Sequence, residues 1–339
     1  MNPLLYVLPV FIGFMLAEHI ITARQGRSAY SFRETVGNLY CAIGQFFIEL
    51  FLKLPLLALY LFLGRYSLEM KLTGWAKWLA LFVVIDFLFW LSHLIAHKIP
   101  WMWAIHGVHH QAEHYNFSVG LRMPWWHKFT AFWIYIPPAL LGFSAQDYIL
   151  VATLQASAQI WTHTTLFKNR IPVFEWIFVT PSHHRVHHGK NRIYIDKNFG
   201  GILSVWDYIF GTYHPETEPV KFGIPKHKPR VNPLSTNFVQ FIPEIMPALP
   251  KHKSLPGREK LVIASFTVAL ITGVAWTFLN EAGLTLPQRA VALVSVLCSM
   301  IAVGLWMDHR EDWFRDVKIP VTTSSRFTTL MLIVGLFLI

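Results

Sequence analysis

The sequence predicts an all-α fold, a polytopic integral-membrane helical bundle with a helical cap on its cytoplasmic side. Three observations carry this prediction. The 339 residues are 54% hydrophobic and 14% charged, with a mean hydropathy of +0.40, whereas a soluble domain carries nearer a quarter charged residues. Apolar runs of about 20 residues recur, the length a helix needs to cross hydrocarbon. The remaining charge is lopsided, at +10, which suits loops facing anionic headgroups. No basic run is interleaved with exposed aromatics in a soluble module, which argues against a nucleic-acid partner. The two cysteines, Cys41 and Cys298, lie in apolar stretches, so neither a disulfide framework nor a cysteine zinc site is expected.

The first expected span runs from Leu4 to about Thr22. It is too long for a signal peptide and lacks a basic start and small-residue cleavage site, so it should be retained. A second runs from about Val36 to Leu63, with Glu49 and Lys53 spaced to neutralise one another. A third runs from Trp75 to Ala96 and closes on HLIAH. A polar stretch, Lys98 to Lys128, follows. Phe129 to Phe143, interrupted by Pro137-Pro138, and Tyr148 to Phe167 are expected to form a helical hairpin. Residues 168–258 are the longest non-spanning region and form the expected cap. Three more apolar runs follow: Leu261 to Leu279, Ala290 to Trp306 and Phe327 to Ile339. The division is thus a catalytic unit, 1–258, and a transmembrane extension, 259–339. Arg24, Arg27 and Arg33 place the first loop inside, which puts the 98–128 and 168–258 regions inside too. Arg65, Lys71 and Lys77 on the opposite loop run against this orientation.

Histidine is the anomaly in composition. Of 17, twelve fall between His93 and His188. They form three clusters at helical spacing: His93-x3-His97, His106-x2-His109-His110 and His183-His184-x2-His187-His188. Residues three and four apart share a helix face, so each cluster can aim its imidazoles at one point. His163, in QIWTHTTLF near the end of a span, is costly there without a partner. A single HxxxH is commonly a surface pair. Three clusters and a buried fourth site at one end of the bundle point instead to metal ligation. Nine or ten imidazoles exceed the needs of one ion and suit two. Zinc in a structural site closes with four ligands, commonly including cysteine. Iron with O2 fits better, because oxidising an unactivated C–H bond requires a redox metal in a dry pocket.

The same residues resemble the fatty acid hydroxylase/sterol desaturase superfamily, whose HxxxH, HxxHH, HxxHH signature matches His93–His97, His106–His110 and His184–His188. Within it the chain most resembles the alkylglycerol monooxygenases and their bacterial relatives. That resemblance rests on MWAIHGVHHQAEHYNFSVGLR (102–122), QIWTHT (159–164) and TPSHHRVHHGKNRIYIDKNFGGILSVWDYIFGTY (180–213), and covers roughly residues 30–245. It implies a membrane di-iron oxygenase that hydroxylates a lipid C–H bond with O2. Its implied ligands are His93, His97, His106, His109, His110, His184, His187 and His188, with His163 as a further match and His183 as a tenth candidate. It implies tetrahydrobiopterin as a reductant, although no pterin pocket is legible in the sequence. A membrane lipid and an electron donor are the implied partners.

Among polar neighbours, Asp86 lies seven residues before His93 on the same helix face and could accept an imidazole N–H. Glu113 could hold an imidazole or relay a proton. Asn116, Asn191, Asp196 and Asn198 could orient ligands or cap turns, and Trp125, Trp126, Trp161 and Trp206 suit the membrane interface. Three other functions compete. A desaturase could run on the same ligands. A metal transporter would spread its histidines through the bilayer depth, and a haem subunit would need only paired single histidines.

Overall fold

The computed structural model describes residues 4–68, 70, 72–168, 170–225, 227–238, 240–241, 255–280 and 283–309, and there the expected apolar runs are helical except over parts of the 129–143 and 148–167 runs. Among the described residues there is no strand, only an isolated bridge between Phe178 and Leu203. The helix α1, Leu4–Arg24, covers the first expected span, and α2, Phe32–Gly64, the second. The two parts of α2, Phe32–Glu49 and Phe51–Gly64, meet at 51°, close to Pro55, which removes a helix hydrogen bond. Glu49 pairs with Lys128 at 3.7 Å and accepts from Gln45 at 3.2 Å. The helix α3, Gly74–Lys98, is the third span.

The expected hairpin is a broken chain of short pieces. It comprises α5 (His127–Ala131), a 3-10 turn over Phe132–Tyr135, α6 (Pro137–Leu140) and α7 (Ala145–Ala158). At 14 residues α7 reaches roughly 21 Å, short of a bilayer. It ends early because the chain turns at Ile160–Thr162 to deliver His163 inward.

Before these pieces comes α4 (Pro100–His110), which follows α3, and after them come α8 (Pro172–Glu175), α9 (Pro181–His187), α10 (Val205–Ile209) and α11 (Pro233–Phe238). The two described tail runs are α12, Gly257–Leu279, and α13, Leu286–His309. The expected run Phe327 to Ile339 lies outside the described residues. With α3, these two are long and apolar enough to cross a bilayer, and α2 counts as a fourth if its bent halves make one span.

The tail helices share a core with α2, in which Tyr40, Ile43 and Phe47 pack with Ile263, Leu270, Met300 and Val303. Asp308, buried on α13, accepts from the amides of Val231 and Asn232 at 3.0 Å and from Arg33. This locks α13 to the chain beneath the site. Trp125 fills that same core at 4% exposure, so it is no interface anchor.

Candidate metal centre

Local sequence explains how the histidines are presented. His93 and His97 stand one turn apart at the end of α3. Pro100 forces Ile99 into extended backbone (φ −94°, ψ 118°) and opens α4 as its first residue. The chain therefore doubles back, and α4 lays His106, His109 and His110 against α3. On α9, Thr180 caps the N-terminus by accepting from the His183 amide at 3.2 Å, with Pro181 next. That orients His184, His187 and His188 toward α4.

The imidazoles converge as two groups. His93, His97, His106, His110 and His187 form one, and His109, His163, His184 and His188 the other, with ligand atoms within 4.8 Å of one another in each. In the first, the Nε2 of His106 lies 3.1 Å from those of His93 and His110, and His110 lies 3.1 Å from His187. In the second, the Nε2 of His163 is 3.2 Å from His109 and 3.0 Å from His184, and His184 is 3.2 Å from His188. The groups abut, with the rings of His110 and His188 at 4.4 Å.

Hydrogen bonds at the other ring nitrogen decide the tautomers. Nδ1 of His93 faces the Phe199 carbonyl at 3.0 Å, that of His187 the Lys197 carbonyl at 3.1 Å, and those of His109 and His163 the Arg122 and Gln159 carbonyls at 3.3 Å. A carbonyl only accepts, so each of these Nδ1 atoms carries the proton. His109 and His163 thus point lone pairs at each other across 3.2 Å, which is repulsive without a cation between them. Ligands bound at about 2.1 Å and at right angles would stand about 3.0 Å apart. His97 adds a buried Nε2 with no hydrogen-bond partner. Burial, reinforced by neighbouring imidazoles, holds His106, His109, His110, His184, His187 and His188 well below the usual imidazole range. Burial takes His163 to about 4. The rings are therefore neutral and fit to ligate.

His183 joins neither group. Its Nε2 meets the Asp207 carboxylate at 3.1 Å, both side chains fully buried. Burial would raise Asp207, but His183, Thr212 and the Phe199 amide hold it below the usual carboxylate range. Asp207 also accepts from the Trp90 indole at 3.1 Å and the Gly200 amide at 2.9 Å. It was not singled out by spacing, and its only sequence signal is an acid inside the apolar run VWDYIFG. Arg122 is a second such residue. It is wholly buried, with hydrogen bonds to the Val108 carbonyl, Asn38 and Gln111, and its own carbonyl receives His109.

Of the expected polar neighbours, Asp196 touches a group histidine, facing His97 Nδ1 at 3.5 Å and Lys98 at 2.5 Å. The His97 ring and Lys98 hold its carboxyl at about 2. Asp86 does not hold an imidazole. It accepts from Gln155, the Trp206 indole and the amides of Ile202 and Leu203 at 2.9–3.3 Å, because the 199–207 segment folds over that face of α3. Trp206 is accordingly pinned by Asp86. Glu113 faces solvent beside Lys228 at 3.2 Å. Asn116 caps the Phe117–Leu121 turn by accepting from the Ser118 amide at 2.9 Å. Asn191 accepts from the Lys221 amide, and Asn198 donates to the His183 carbonyl at 3.0 Å.

The described residues enclose two hollows, of which one borders the groups. One, of about 300 Å³, opens on His97, His110, His187 and His188 between Trp103, Lys190 and Asp196. The other, of about 570 Å³, is an apolar groove between α3 and α7 lined by Trp78, Phe82, Leu150, Leu154 and Ile202.

Comparison with known proteins agrees with this geometry. The model of the fatty acid hydroxylase family matches residues 78–212, which hold all nine grouped histidines. Alkylglycerol monooxygenase of Homo sapiens is 32% identical over 234 residues, 68% of this chain and 52% of that protein. The Danio rerio protein of the same name is 34% identical over 220 residues, 64% of this chain and 49% of that one. Ornithine lipid hydroxylase OlsE of Rhizobium tropici is 30% identical over 145 residues, 40% of this chain and 41% of that one. The chain spans about half the length of the curated alkylglycerol monooxygenases of human and zebrafish. No solved structure matches it.

Proposed function

We propose, from the premise that this chain belongs to the fatty acid hydroxylase family through its residues 78–212, that it is a multi-pass membrane monooxygenase that uses two iron ions to hydroxylate a C–H bond of a lipid. An ether lipid is the preferred substrate, in line with the alkylglycerol monooxygenases it resembles. The observation that carries this reading is the lone-pair-to-lone-pair approach of His109 and His163 within two abutting groups of five and four neutral imidazoles. Nitrogen donors without thiolate, around two sites, suit iron and O2 better than structural zinc.

His93, His97, His106, His110 and His187 would hold one ion, and His109, His163, His184 and His188 the other. Iron bound there supplies the redox chemistry by which one atom of O2 enters the lipid C–H bond, the other leaving as water at the cost of two electrons and two protons from an external donor. The protein's residues do the rest. The carbonyls of Phe199, Lys197, Arg122 and Gln159 fix Nδ1–H and keep Nε2 aimed inward. Trp103, Phe199 and Tyr115 ring the histidines with apolar surface and exclude water. The groove between α3 and α7 would accept an alkyl chain from the bilayer. The site faces the cytoplasm, by the basic residues that follow α1.

The test is metal analysis of the purified chain, then incubation with an alkylglycerol lipid, labelled O2 and either tetrahydrobiopterin or a chemical reductant. About two irons per chain and label in the lipid are expected. Stoichiometric zinc with no label in any lipid would overturn the reading. A double bond formed without label would move the chain to the desaturases.

A further inference from the structure

The helix α3 places more than its histidines. At about 1.5 Å per residue its 25 residues reach roughly 37 Å, against hydrocarbon about 30 Å thick. Trp90 lies eight residues before its end at Lys98, about 12 Å along the axis, and Asp86 about 18 Å. Both therefore sit at bilayer depth. Trp90 stacks on Phe210 at 4.4 Å, and Asp86 accepts from the Trp206 indole at 2.9 Å. The helix α10 thus lies alongside α3, although at five residues it is too short to cross a bilayer.

Segment 171–178 comes with it. The Ser204 amide donates to the Ile177 carbonyl at 3.0 Å, the Val179 amide to the Ile202 carbonyl at 2.8 Å, and the rings of Trp176 and Tyr208 lie 6.1 Å apart. The outer face of this unit is apolar and exposed. Val173 is 85% exposed, Trp176 70%, Ile209 62% and Phe210 51%. Such a face against water would be an unusually large apolar patch.

Irregular backbone survives at membrane depth only when its polar groups are satisfied within the protein. Here four amides of one loop are satisfied by two buried carboxylates. Phe199 and Gly200 donate to Asp207 at 2.8 and 2.9 Å, and Ile202 and Leu203 to Asp86 at 3.0 and 3.3 Å. That accounts for acids inside an apolar bundle, where a charge is otherwise costly.

We infer that residues 171–210 include a re-entrant element that dips into one leaflet beside α3, with the face around Val173, Trp176, Ile209 and Phe210 in contact with lipid chains. Asp86 and Asp207 act as its internal solvent. The occupant of the face is the bilayer that α3 crosses, because Phe210 packs directly on Trp90 and half-buried Phe87 of that helix.

The test uses the full chain in lipid vesicles and needs neither metal nor turnover, so its failure is separate from failure of the proposed reaction. Cys298 is exposed and Cys41 buried, so Cys298→Ser leaves a background for single labels. Fluorophores at Val173→Cys and Ile209→Cys should be quenched by brominated lipid as strongly as one at Val268→Cys, 61% exposed on α12. They should also be shielded from aqueous iodide relative to Lys228→Cys. Iodide access equal to that at Lys228 overturns the inference. Shielding from both quenchers, with cross-linking between chains, also overturns it, because a second copy would then cover the face. The unaltered protein gives an independent reading. A lipid photoreactive in its acyl chain should label peptides covering 171–178 and 205–210, and labelling confined to α12 and α13 overturns the inference.

Discussion

At the residue scale the centre depends on neutral imidazoles held by carbonyls. Replacing His163 or His187 with Ala would remove a proposed ligand and leave a buried hole, so each variant should lose most of one iron and all turnover, read by metal analysis and product formation. His183→Ala should behave differently. His183 contacts Asp207 rather than either group, so metal content should stay closer to the parent while thermal stability falls by about 1–3 kcal/mol, the cost of an unpaired buried partner. Equal iron loss in His183→Ala and His187→Ala would place His183 among the ligands. Acidity acts through the same rings. Burial lowers His163 from 6.5 to about 4 in the folded chain. The unfolded chain therefore binds the extra proton first as pH falls. Metal-free protein should have its full stability above about 6.5 and lose it progressively as pH drops toward 4, measurable as a falling Tm.

At the element scale, turns and close approaches set where the histidines arrive. Thr180 caps α9, so Thr180→Ala should cost about 1 kcal/mol and broaden the spectroscopic signature of bound iron, while Thr180→Ser should restore both. A Cβ at Gly304 would overlap the Asn232 backbone, where α13 lies against the chain that Asp308 holds. Gly304→Ala should therefore destabilise by roughly 1–3 kcal/mol, read by thermal unfolding in detergent. The atoms nearest a Cβ at Gly107 all belong to the side-chain end of Gln240, which can swing aside, so Gly107→Ala should be milder.

At the scale of the whole molecule, metal at the proposed centre would link α3, α4, α9 and the His163 turn, whose histidines converge there. Ligands that bind only the folded state stabilise it by mass action. Removing metal with a chelator should lower Tm by several degrees, and ferrous iron should restore it. A Tm indifferent to metal would mean that the four elements are already locked together without it.

The helical class, the candidate spans along α2, α3, α12 and α13, and the nine grouped histidines were legible in residue order, because apolar length and three-to-four spacing are local properties of a helix. His163 was legible too, as a polar residue at the end of an apolar run. Asp207, Arg122 and the carbonyls of Phe199 and Lys197 were not, since their roles come from partners as far as 117 residues away. Spacing misdirected Asp86 and His183 for the same reason. It put Asp86 on the face of His93 and His183 beside His184, while the segment 199–207 folded between them and claimed both. The helical hairpin failed because chain length alone cannot show that Ile160–Thr162 turns inward. Local sequence determined which helices form and which imidazoles each presents. Tertiary packing alone decided how those rings divide between two centres and which buried acids serve the backbone, because both depend on contacts made only once distant segments meet.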